Sequence, residues 1–190
     1  MHLPNFNIEP KGPISIEFLN HNILTFKEAT LFINNLRYAR NSDKTNLTTI
    51  FKDNCGTCST KHAILKQLAD ENDFREIKLM LGIFKMNANN TKEIKTTLEK
   101  HHLDYIPEAH NYLKYKNQIF DFTKKGSKPS DFKNDLLQEI EITPNQITEF
   151  KIDFHKKHLQ NWLTENNNCN LSLDKLWKIR EECILNLSST

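Results

Sequence analysis

The sequence predicts an α+β protein, because helical spacing fills its two ends and strand-like alternation is concentrated in its middle. Ala29, Phe32, Ile33 and Leu36 recur at helical spacing, whereas Ile77, Leu79, Leu81 and Ile83 alternate with period two. His110 to Thr123 reads HNYLKYKNQIFDFT, with aromatic and β-branched residues on both sides of Lys116-Asn117, the pattern of a β-hairpin. No internal repeat is visible, and 190 residues suit a single domain, 1–190, with a core over 1–126 and a helical C-terminal extension over 127–190. A chain of this length buries roughly 70% of its unfolded surface, so it needs neither disulfide nor metal to fold.

Taken in order, Thr25-Phe26-Lys27-Glu28 fits a capping box, in which hydroxyl and carboxylate satisfy the free amides of a helix start. Leu47 to Phe51 is short and partly β-branched, which suggests an extended segment. Cys58 to Ala69 is a helix, with Ala63, Ile64, Leu65 and Leu68 on its inner face. Gly82 inside the alternating segment marks a bulge or a close backbone approach. Asn87–Asn90 reads as a loop and Thr91 to His101 as a helix. Ser130 is placed to cap a helix carrying Phe132, Leu136, Leu137 and Ile140. Thr143-Pro144-Asn145-Gln146 is a second capping box, with Pro at the first helical position, and Ile147, Phe150, Phe154, His158 and Trp162 follow along one stripe. Asn166–Asn168 reads as a loop, and Ser172 as the cap of a last helix that buries Leu173, Leu176, Trp177, Cys183, Ile184 and Leu187.

Composition removes several function classes. Lys and Arg total 26 against 24 Asp and Glu, a net charge of +2, and only four of the basic residues are Arg. Such a balance gives no field for gripping a phosphate backbone, and Arg is the usual reader of phosphate and guanine, so no nucleic-acid partner is expected. Four glycines leave no Gly-rich phosphate cradle, and no cofactor is expected. Met1 to Lys11 shows no basic start followed by an apolar run, and no stretch approaches 18 apolar residues. With a mean hydropathy of −0.64, the expectation is a cytoplasmic protein with no membrane partner, whose Cys55, Cys58, Cys169 and Cys183 are reduced.

The densest chemistry lies in Asn54-Cys55-Gly56-Thr57-Cys58-Ser59-Thr60-Lys61-His62. Cys58 at a helix start is suited to be a nucleophile, since free amides and the positive helix end favour a thiolate and a developing oxyanion. Gly56 permits the sharp loop leading in. A rival reading is a redox pair, because Cys55-Gly56-Thr57-Cys58 ahead of a helix has the layout of a thioredoxin site, with Ile106-Pro107 as its proline loop. A metal reading joins Cys55 and Cys58 to His62, His101 or His102, but lacks a convincing second ligand pair. The plainest reading is a cysteine that simply packs, which is the expectation for Cys169 and Cys183.

A thiolate needs a base, and the base an orienting group. With Lys116-Asn117 as a two-residue turn, Tyr115 pairs with Gln118 and Tyr112 with Asp121, so that His110, Tyr112 and Asp121 share one face while Leu113, Phe120 and Phe122 take the other. The diagonal from His110 to Asp121 is then about 7–8 Å between backbones, within reach of two side chains. His62, four residues after Cys58, is a second possible base, though it fits better packed under the hairpin. His101 and His102 suit a helix C-terminus; His155 and His158 suit the edge of a late amphipathic helix.

These residues resemble the transglutaminase-like superfamily, the circular relative of papain-like cysteine proteases. The resemblance rests on Gly56-Thr57-Cys58, a helix containing Ala63 and Leu65, a strand ending near Gly82, then His110 and Asp121-Phe122-Thr123; Cys55 to Ser59 is also similar to the papain nucleophile region. It covers about residues 53–123. It implies a Cys58-bearing helix packed on a small antiparallel sheet that presents His110 and Asp121, and acyl transfer through a thioester on a peptide, protein, or small amide or thioester substrate. Two positions depart from the pattern: Lys52 stands where papain-like enzymes carry Gln, and Tyr112 stands where Trp often follows the His. The other functions open to this core are thiol–disulfide exchange at Cys55 and Cys58, and binding without turnover.

Overall fold

The Thr25 capping box forms as the sequence predicts: Thr25 Oγ1 accepts from the Glu28 amide, and the Glu28 carboxylate accepts from the Thr25 and Leu24 amides. A computed structural model describes residues 3–166 and 171–188, which leaves Cys169 and part of the Asn166–Asn168 loop outside the described residues. In chain order the elements are α1 (Pro13–Asn20), α2 (Phe26–Asn35), β1 (Arg37–Tyr38), α3 (Thr49–Asp53), β2 (Cys55–Gly56), α4 (Cys58–Glu71), β3 (Lys78–Asn87), α5 (Lys95–Lys100), β4 (Tyr105–Tyr115), β5 (Gln118–Phe120), β6 (Leu136–Ile142), α6 (Glu149–Glu165) and α7 (Leu173–Ser188). This is an α+β chain with a small sheet of strand order β5-β4-β3-β6. It divides into two compact units, and β3, β4 and β6 contribute residues to both. None of the described helices is long and apolar enough to cross a membrane.

The first unit comprises Met1–Leu81, Asn111–Pro129 and Ile140–Thr148. Its centre is α4, where Ala63, Ile64, Leu65 and Leu68 are fully buried, as their spacing predicts. The far end of α4 caps α1: the Glu71 carboxylate accepts from the Ile14 and Ser15 amides and from Ser15 Oγ. Gly12 leaves room for that carboxylate, since a Cβ there would lie 2.3 Å from Glu71 Cδ. Leu47 to Phe51 is not extended. Asn46 Oδ1 accepts from the Thr48 amide and hydroxyl, which turns the chain into the short helix α3. Asn54 then adopts a left-handed conformation (φ 49°), and β2 pairs in parallel with β1, Arg37 opposite Cys55 and Tyr38 opposite Gly56.

The hairpin has the expected register: Leu113 faces Phe120, Lys114 faces Ile119 and Tyr115 faces Gln118. Lys116 and Asn117 both have positive φ, as a two-residue hairpin turn that follows the strand twist requires. Strand pairing stops at Phe120, so Asp121 to Thr123 leave the ladder. Tyr112 and Leu113 are both fully buried, so β4 is covered on both faces here rather than presenting a polar one. The Thr143 box also forms, with the Thr143 amide donating to Gln146 Oε1.

The second unit comprises Gly82–His110, Ser130–Glu139 and Glu149–Thr190. The helix expected from Ser130 through Ile140 is absent. Short 3-10 turns at Pro129–Asp131 and Lys133–Asp135 lead into β6, an edge strand held by its backbone ladder while four of its seven side chains are exposed. The C-terminal extension is therefore not purely helical. In α6 the buried stripe is Lys151, His155, Leu159, Trp162 and Leu163, offset from the expected one; Phe150 is exposed. In α7 Ser172 Oγ accepts from the Lys175 amide, and Leu176, Ile179, Cys183 and Ile184 are buried.

Candidate active site

Cys58 is the first residue of the 14-residue helix α4 and is 7% exposed. The loop into it is held by a chain of hydrogen bonds. The Thr57 amide donates to Thr60 Oγ1, the Thr60 hydroxyl to Asn41 Oδ1, and Asn41 Nδ2 to the Cys55 carbonyl. Gly56 leaves no space for a side chain: a Cβ would sit 2.9 Å from both Ile50 Cδ1 and Lys61 Cγ. Ser59 Oγ donates to Asn111 Oδ1, and Asn111 Nδ2 donates to the Met80 carbonyl, which pins the start of α4 to β3 and β4.

Lys61 is fully buried, its ammonium donating to the carbonyls of Leu36 and Thr123. Burial pulls its pKa down to about 8, against the upward pull of Cys55, Asp121 and Cys58 nearby. His62 is also fully buried. Its Nδ1 lies 2.7 Å from the Cys58 carbonyl oxygen, and its Nε2 accepts from the Phe122 amide at 2.8 Å. An accepting Nε2 carries no proton, so the ring is the neutral Nδ1–H form and donates to Cys58. With both nitrogens engaged, His62 has no lone pair left to act as a base. It is bonded to the segment that directly follows the hairpin.

Asp121 sits beside this imidazole, Oδ1 3.5 Å from His62 Nε2, with the carboxylate almost fully buried. The same oxygen accepts from the Thr123 amide and hydroxyl. Asp121 and the first turns of α4 thus come together within the first unit. His110 belongs to the second unit; it is half-buried on β4, its ring edge-to-face with Phe132 at 4.7 Å and 6.1 Å from Phe84. Cys55 is buried, with its thiol aimed at the Arg40 carbonyl 3.8 Å away, and burial pushes its pKa up. His101 lies past the end of α5 and pairs with Glu182 at 3.3 Å. Among the described residues no group of three His, Cys, Asp or Glu side chains could hold a metal.

Searches against family models, curated proteins and solved structures find no match to this chain. Two residues of the site escaped sequence reasoning. Lys61 shares the apolar face of Ile64, Leu65 and Leu68, and a charge on such a stripe was its signal. Asn111 stands two residues before Leu113 on the same strand face, a polar side chain at a core position.

Proposed function

We propose that the protein is a cysteine-nucleophile acyl-transfer enzyme, acting on an amide or thioester, with Cys58 as nucleophile, His110 as base and Asp121 as the group that orients it. The observation that carries this reading is the start of α4. A thiol on the first residue of a 14-residue helix has the positive helix end beside it, and a buried ammonium, Lys61, acts on both Cys58 and Asp121. In the reaction, the Cys58 thiolate attacks the carbonyl, His110 protonates the leaving group, and water or an amine then releases the acyl group from the thioester. Helix-start amides would stabilise the oxyanion.

Iodoacetamide labelling at neutral pH tests the assignment. Cys58 should react roughly tenfold faster than an unperturbed thiol, Cys58→Ala should abolish the fast label, and His110→Ala should slow it. Equal labelling of His110→Ala and the wild type counts against the base. The dithiol alternative predicts a reversible Cys55–Cys58 disulfide after mild oxidation. It fits poorly with a first cysteine whose thiol is buried, raised in pKa and turned to the Arg40 carbonyl.

A further inference from the structure

The geometry points to His62 as a positioning residue: a neutral imidazole that ties the peptide of the nucleophile to the peptide that carries the orienting carboxylate. This rests on the reading of Cys58 and Asp121 given above. The observations behind it lie within the first unit. His62 donates from Nδ1 to the Cys58 carbonyl and accepts at Nε2 from the Phe122 amide, 60 residues away in sequence. Phe122 follows Asp121 directly, beyond the last ladder pair of the hairpin, so the strand pairing does not fix its amide. His62, at the Phe122 amide, and Lys61, at the Thr123 carbonyl, both from the second turn of α4, hold this segment.

The ring is suited to this task because it is a donor and an acceptor on a rigid frame. Protonation would remove the acceptor that Phe122 needs and would present an Nε2–H to Asp121 Oδ1, 3.5 Å away. That proton would draw the carboxylate from the Thr123 amide and hydroxyl that now hold it. Asp121 lies beside the ring, and Lys61 places its ammonium on the carbonyl of Thr123, the residue after Phe122. The Phe122 N–H aimed at Nε2 holds the neutral form, and with it the spacing between Cys58 and Asp121.

Three measurements test this. In wild type, ¹⁵N NMR of the His62 ring should show a protonated Nδ1 and an unprotonated, hydrogen-bonded Nε2 at neutral pH; the opposite tautomer overturns the proposal. Replacing His62 with Phe keeps a ring and removes both bonds, and should speed hydrogen exchange of the Phe122 amide at least about tenfold. It should also slow Cys58 alkylation at neutral pH roughly tenfold, equivalent to about 1.4 kcal/mol. His62→Gln, whose amide oxygen can still accept from Phe122, should recover part of both effects. An unchanged Phe122 amide exchange rate in both variants overturns the proposal. If wild-type Cys58 reacts no faster than an ordinary thiol, the catalytic reading fails, and the tautomer and the Phe122 amide exchange still decide the role of His62.

Discussion

Each unit of this protein buries a polar cluster, and the two clusters are built on different principles. In the second unit, Glu108 is clasped by Arg180 through Nε at 2.7 Å and through Nη2, while Arg180 Nη1 pairs with Glu181 at 2.6 Å. His155 donates to the Pro107 carbonyl at 2.8 Å, packs edge-to-face on Trp177, and lies 4.0 Å from Glu108. Charge there is met by opposite charge. At the start of α4 the buried cation is met by two neutral carbonyls, and the buried imidazole by a carbonyl and an amide. An ion pair closed on itself holds elements together and leaves nothing to react. The Lys61 ammonium is hydrogen-bonded to carbonyls rather than to a carboxylate, so its field still reaches Cys55, Asp121 and Cys58. The contrast separates a structural cluster from a candidate site although both are equally buried.

The largest expected effect breaks the closed cluster. Glu108→Leu leaves the Arg180 guanidinium buried without its main partner and should cost about 3–5 kcal/mol in urea unfolding, whereas Glu108→Leu with Arg180→Met should restore most of that loss. Burial alone would raise the Glu108 pKa, but Arg180 and His155 hold it below the usual carboxylate range. A depressed folded pKa contributes stability that is present above the unfolded value and lost as pH falls through the folded one. The wild type should therefore lose stability in acid more steeply than the double variant. Equal acid profiles would mean that Glu108 gains nothing from its pair.

The next effect sharpens the open cluster. Lys61 has a folded pKa of about 8 against 10.5 unfolded. Below pH 8 both states hold the proton, and the native state bears the cost of the buried ammonium. Between about 8 and 10.5 the unfolded chain binds more protons, so wild-type stability should rise with pH. The stability of the wild type relative to Lys61→Met should increase by on the order of 3 kcal/mol across that window. A constant difference between pH 7.5 and 10.5 would sink the assignment of a depressed Lys61.

Gly56→Ala acts on the same region through space alone. A methyl 2.9 Å from Ile50 Cδ1 and Lys61 Cγ has no room, because Lys61 is held at its far end by two carbonyls. Overpacking of this kind costs about 1–3 kcal/mol. Thermal unfolding should report the loss, and Cys58 alkylation should slow with it, since the displaced side chains flank the helix start. A variant as stable as wild type would show that the loop yields.

What the sequence revealed and what it concealed follow the same physics. The hairpin register was legible because Lys116-Asn117 and the flanking alternation are local signals, and both capping boxes were legible for the same reason. Strand β6 was hidden because Leu136, Leu137 and Ile140 also fit a helix; the edge strand draws its stability from a backbone ladder that side chains do not report. The inner face of α6 was misplaced because Lys151 and His155 look exposed by type, yet His155 finds the Pro107 carbonyl and both lie within reach of the Glu108 charge. At the candidate site, the place of Cys58 at the start of α4 could be read from the helical run that follows it. The bond from His62 to Phe122 could not, because it joins positions 60 residues apart.

The smallest effect tests which element sets the place of Asp121. Lys116 is held at φ 45° and Asn117 at φ 64°, conformations that favour Asn or Gly over a long side chain. Replacing Lys116-Asn117 with Asn-Gly should stabilise the protein by about 0.5–1 kcal/mol, measured by urea unfolding. The turn is separated from Asp121 by the whole of β5, and Phe122 is held from α4 rather than from the ladder. A tighter turn should therefore raise stability while leaving the His62–Phe122 bond, read by the ¹⁵N shift of Nε2, and the rate of Cys58 alkylation where they are. If both move with the turn, the hairpin sets the carboxylate and the link through His62 is secondary; if only stability moves, the reach from α4 to the Asp121 segment is set by its own two bonds.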